Sequence, residues 1–83
     1  MHVSLITPKE LIFDGEASFV SAPGGSGSLG ILDNHSPLVT NLKAGEIIIR
    51  QSGNDSIYKM KSGVLEVAQN KISILCDHIE KQI

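Results

Sequence analysis

The sequence predicts an all-β fold, a β-sandwich of roughly eight to ten short strands in two sheets. Three observations predict it. Turn-forming residues recur about every eight to twelve positions or closer, the rhythm of sandwiches and barrels. Between the turns, apolar residues alternate at a period of two rather than about 3.6. Ile and Val dominate these runs, as half-buried pleated strands favour.

The elements follow in order. Val3 and Leu5 alternate with His2 and Ser4. Asp14-Gly15 reads as a turn dipeptide and Pro23-Gly24-Gly25-Ser26-Gly27 as a glycine turn. Asp33-Asn34 before Pro37, Lys43-Ala44-Gly45, Ser52-Gly53-Asn54-Asp55 and Gln69-Asn70 complete the turns, because Gly and Asn tolerate positive φ. Ile47 and Ile49, Tyr58 and Met60, Leu65 and Val67, and Ile72, Ile74 and Cys76 each line one face of a strand. Leu38-Val39, Ile47-Ile48-Ile49 and Ile74-Leu75-Cys76 are apolar on both faces, so a second surface there is covered by the domain or by a partner. The expected organisation is one domain over 1–83, with the sandwich at 1–76 and a tail at 77–83. Asp77 resembles a helix N-cap, but the six residues after it are too few for a stable helix.

Composition narrows function. The net charge is −2, and the seven Lys and Arg residues are scattered. Nucleic-acid binding needs a basic stripe or stacking aromatics, and aromatic content is only 4% with no Trp. One cysteine excludes an internal disulfide framework and points to a reducing compartment. Met1-His2-Val3-Ser4 carries no basic or long apolar stretch of a signal peptide. No run approaches the roughly 18 apolar residues of a spanning helix, so membrane insertion is not expected.

Catalytic motifs dissolve on inspection. Gly25-Ser26-Gly27-Ser28-Leu29-Gly30 matches G-x-G-x-x-G, but a dinucleotide site needs a helix directly after it. Here Pro37 follows within seven residues, and no helix can propagate. Asp33, His35 and Ser36 are triad residue types crowded into one turn, whereas triad members converge from separate elements. Asp33 and Ser36 are expected to satisfy local backbone donors. His2, His35, His78 and Cys76 show no metal-ligand spacing. Cys76 reads as a small buried hydrophobe, and His2 and His78 as solvated. Hence no catalytic residue, metal or cofactor is expected.

The most informative stretch is Gly27-Ser28-Leu29-Gly30-Ile31-Leu32-Asp33-Asn34-His35-Ser36-Pro37-Leu38. It resembles the pattern G-E-L-G-I-L-P-x-H-[AS]-P-L of the epsilon subunit of the F-type ATP synthase. Phe13-Asp14-Gly15-Glu16-Ala17, Leu42-Lys43-Ala44-Gly45-Glu46-Ile47, Ser62-Gly63-Val64-Leu65-Glu66-Val67, Asn70 and Ile72-Ser73-Ile74-Leu75 match further blocks in the right order. The resemblance spans nearly the whole chain. It implies a flattened β-sandwich of about ten short strands and a non-catalytic rotor subunit on the cytoplasmic face of a bacterial membrane. Its implied partners are the gamma subunit, through His35, Ser36, Pro37 and Leu38, and the rotor ring of c subunits, through Gly27, Ser28, Leu29 and Gly30.

Three departures stand out. Ser28 occupies the usual Glu position and cannot pair with basic ring loops. Asp33-Asn34 replaces a common Pro-Gly, although Asn34 can adopt a left-handed conformation. The family continues into a helical hairpin that inhibits ATP hydrolysis, whereas this sequence stops at Ile83. A naturally short chain and a truncated one both fit; as it stands, no hairpin-based inhibition is expected. The rival reading is a free-standing sandwich adaptor that pairs with a partner through an edge strand at Ile47-Ile48-Ile49.

Overall fold

A computed structural model describes residues 1–83 and contains ten strands and no helix. The strands are β1 (His2–Ile6), β2 (Leu11–Glu16), β3 (Phe19–Gly24), β4 (Gly27–Ile31) and β5 (Leu38–Leu42). They continue as β6 (Gly45–Gln51), β7 (Asn54–Met60), β8 (Ser62–Ala68), β9 (Lys71–Asp77) and β10 (Glu80–Lys81). One sheet runs β10-β7-β6-β3-β4 and the other β5-β8-β9-β1-β2. A single pairing, Gly24 with Leu42, joins them into one curled hydrogen-bonded sheet. All neighbours are antiparallel except β1 and β9.

Period-two faces close the core. Val3, Leu5, Ile47, Ile49, Tyr58, Met60, Leu65, Val67, Ile72, Ile74 and Cys76 are all buried, alongside Val20, Ala22 and Ile31. No polar side chain is buried. Outward residues of the two-sided apolar runs stay accessible: Val39 is 67% and Leu75 54% exposed, while Ile48 is half-buried.

Several sequence expectations need correction. Asp14-Gly15 lies inside β2 rather than in a turn. Its local turn chemistry is overridden because Ser4 Oγ and His2 Nε2 engage Asp14 Oδ1 at 2.9 and 2.6 Å across β1. The chain turns instead at 7–10 and at Ala17-Ser18. Of the glycine run, only Gly25-Ser26 forms the hairpin tip. Ile47-Ile48-Ile49 sits on β6, an inner strand paired along the whole run by β7 and at Ile48 and Ile49 by β3, so edge pairing through it is closed. The expected sandwich limit at 76 falls within β9, and Glu80–Lys81 returns to pair with Tyr58 and Lys59. Backbone bonds between Ile83 and Ile57 extend that return.

His2 is not simply solvated. Its Nε2 lies 2.6 Å from Asp14 Oδ1 and its Nδ1 3.1 Å from Glu16 Oε2. The hydrogen bond to Asp14, then that to Glu16, raises its pKa above the ordinary histidine value. A folded pKa above the unfolded one stabilises below the unfolded value and loses that contribution as pH rises through the folded value. Substituting His2→Gln should therefore cost more stability near about pH 5.5 than near about pH 8.5. Urea unfolding of both proteins at the two pH values measures this; a pH-independent difference contradicts the pairing.

Candidate functional site

Strand direction sorts the connections into two ends. Met1, the 32–37 loop, Ser52-Gly53 and Gln69-Asn70 share one end. The 7–10 turn, Gly25-Ser26, Lys43-Ala44 and Lys61 share the other. The segment 27–30 is not a loop. Gly27, Ser28, Leu29 and Gly30 form most of β4, an edge strand held only by β3. Ser28 faces outward, whereas Leu29 packs against the core. Gly30 lies beneath Phe19: an added Cβ would come within 3.3 Å of the ring. Arg50 stacks 5.0 Å from the same ring and donates twice to Asp55, at 2.8 and 3.2 Å. This stack fixes the outer surface beside β4, and no local sequence signal announces it.

His35, Ser36 and Pro37 are exposed in the end loop, while Leu38 opens β5 and packs against the core. His35 Nδ1–H donates to the Ser36 carbonyl at 2.7 Å. Asn34 takes the left-handed conformation its residue type allows, with φ 62°. Its N–H donates to Asn70 Oδ1 at 2.8 Å. Asp33 does not cap local backbone donors. Instead its Oδ1 accepts from the Met1 α-ammonium at 2.7 Å, which also donates to the Ala17 carbonyl at 3.2 Å. That hydrogen bond holds the Asp33 carboxyl below its ordinary pKa and raises the ammonium's. An opposite charge within contact distance favours both charged forms. The 27–30 segment and the His35 loop therefore form two surfaces, a sheet edge and one end of the sandwich.

Asp33, His35 and Ser36 do not assemble as a triad: Asp33 is engaged by Met1, and His35 by a backbone carbonyl. Burial first, then the Asp77 charge, pushes the Cys76 thiol up to about 11. A thiol held protonated is a poor nucleophile. The depression lined by Pro8, Asn41, Leu42, Gly63, Val64 and Leu75 has one carboxylate at its rim, Asp77.

By class the chain is an all-β sandwich domain that leaves Leu32, Val39, Val64 and Leu75 exposed on its outer surface. The family described as ATP synthase, Delta/Epsilon chain, beta-sandwich domain matches residues 1–82, and the chain belongs to it. The ATP synthase epsilon chain of Delftia acidovorans is 41% identical over 78 residues, covering 93% of this chain and 56% of that relative. That of Desulforamulus reducens is 39% identical over 80 residues, covering 96% and 61%. That of Caulobacter vibrioides is 32% identical over 78 residues, covering 94% and 91%. The chain thus spans little more than half of two of these relatives and nearly all of the third. Epsilon chains are non-catalytic subunits of the synthase complex.

Solved structures share the fold. A chain of the Euglena gracilis mitochondrial ATP synthase, in an assembly of OSCP, F1 and c-ring, superposes with TM-score 0.89 at 20% identity. The match covers 95% of this chain and 51% of that one. A chain from the central stalk and c-ring of the Tetrahymena thermophila mitochondrial ATP synthase gives 0.81 at 22% identity, covering 96% and 65%.

Proposed function

We propose that this chain is a rotor connector of an F-type ATP synthase, bound to the gamma subunit on one surface and resting on the ring of c subunits with another. The observation that carries the reading is the family match over 1–82. Relatives named as epsilon chains support it. The connector performs no chemistry. It transmits torque generated by ion flow from ring to gamma, which demands a rigid body with two separate contact patches. A β-sandwich with a continuous hydrogen-bonded sheet supplies the rigidity. The exposed loop at His35, Ser36 and Pro37, with Leu38 behind it, is the gamma surface. The edge strand at Gly27, Ser28, Leu29 and Gly30 is the ring surface. The working position is peripheral, at the cytoplasmic face of a bacterial membrane.

Ser28 offers the ring a hydroxyl rather than a carboxylate. An exposed ion pair is worth less than about 1 kcal/mol, so ring contact survives with weaker steering. These 83 residues carry no helix. Acting through the sandwich, they support assembly and coupling.

Charge reversal tests the gamma surface. His35→Asp is expected to weaken binding to isolated gamma by about tenfold, equivalent to about 1.4 kcal/mol. Lys59→Asp, on β7 in the other sheet, should change it by less than about threefold. Titration calorimetry decides, and equal losses for the two variants would sink the assignment of the loop to gamma.

A further inference from the structure

The loop bearing His35 is placed by groups outside itself. Between the end of β4 at Ile31 and the start of β5 at Leu38 it joins no strand. Its exposed tip makes one side-chain hydrogen bond, from His35 to the neighbouring carbonyl. Two struts reach it from distant parts of the chain. Asn70, in the β8–β9 turn, receives the Asn34 N–H at 2.8 Å. The ammonium of Met1, whose side chain is buried, donates to Asp33 at 2.7 Å and is anchored in turn on Ala17. The two strutted residues are adjacent and immediately precede His35. One has φ 62°, a conformation that only a few residue types hold without help.

We propose that Asn70 and the Met1–Asp33 pair are positioning groups that preorganise the His35 loop for its protein partner. This rests on the reading of gamma as that partner. A partner that binds only the ordered loop sees an affinity reduced by the fraction of chains in which the loop is ordered. The struts keep that fraction high. A Pro-Gly pair would favour the same turn through the backbone itself: Pro fixes φ at about −65°, and Gly accepts positive φ without steric cost. This chain does it with hydrogen bonds and one ion pair.

The test uses the full chain and isolated gamma. Backbone order parameters of His35 and Ser36 should be near about 0.8 in the wild type and fall below about 0.6 in Asn70→Ala and Asp33→Asn, with strand residues unchanged. Gamma binding should weaken by about tenfold in each variant. Adding Asp33→Pro with Asn34→Gly to Asn70→Ala should restore both the order parameters and the affinity. A merely structural loss would not be repaired by a change of turn chemistry. Unchanged loop order in the single variants would overturn the proposal, as would disorder without loss of binding, or failure of the Pro-Gly variant to rescue. A wild-type chain that does not bind gamma would overturn the partner reading instead, and the order parameters would still decide whether the struts hold the loop.

Discussion

Replacing Gly63 with Ala should destabilise the domain by about 3 kcal/mol or more. Gly63 lies in β8, opposite Cys76 of β9 on one side and Leu42 of β5 on the other. A Cβ built there falls 2.5 Å from the Leu75 carbonyl oxygen and 3.1 Å from both Cys76 Sγ and Met60 Cε. Side-chain tips can move, but the Leu75 oxygen belongs to a paired strand. Relief requires pulling β8 and β9 apart where the second sheet folds toward the first. The glycine is required for space, not for a positive φ. A chain of this length has a total stability of about 4–12 kcal/mol, so the loss removes a large part of it. Gly25→Ala is the control: the nearest non-neighbour atom to its added Cβ is 3.8 Å away. Urea unfolding should show Gly63→Ala far below the wild type and Gly25→Ala within about 1 kcal/mol of it. Equal stability of all three would refute the close approach of β8 and β9.

Ile74→Ala should cost about 3–5 kcal/mol, and Leu75→Ala less than about 1. The two residues are neighbours on β9. Ile74 is 0% exposed in the core, packed from a strand flanked on both sides by β8 and β1. Its truncation leaves a cavity that these paired strands cannot collapse to fill. Leu75 points to the outer face and is 54% exposed. Equal losses would mean that the two-sided apolar run is not divided between core and surface as described.

That pair also shows what the sequence can reveal. Alternation is a local property of a strand, so the inward faces at Val3 and Leu5, Ile47 and Ile49, and Ile72, Ile74 and Cys76 were legible directly. Turn chemistry was legible where the turn is its own cause, at Asn34, at Ser52-Gly53 and at Gln69-Asn70, all with positive φ. It misled at Asp14-Gly15, because Asp14 spends its carboxylate on His2 and Ser4 across a strand pair. It was silent at Lys61, the one residue between β7 and β8, and at Glu80–Lys81, whose pairing depends on the distant β7.

The candidate site divides the same way. The residues from Gly27 to Leu38 stood out by pattern, and Asn34's conformation followed from its residue type. Their surroundings did not, since Met1 meets Asp33 across 32 positions and Asn34 meets Asn70 across 36. Phe19 over Gly30 is likewise a strand-pairing consequence, because Ser21 and Gly30 are register partners on β3 and β4. Contacts of this range leave no mark on local periodicity.

Crosslinking from the two surfaces tests the central claim most directly. The single native thiol is buried and pushed up to about 11, so a cysteine introduced at Ser28 or His35 would be the reactive one. Each variant, carrying a photoactivatable maleimide, would be assembled into synthase depleted of its epsilon subunit and illuminated. The account predicts that Ser28→Cys joins a c subunit of the ring and that His35→Cys joins gamma. Coupled, fully assembled enzyme that yields neither product would contradict it.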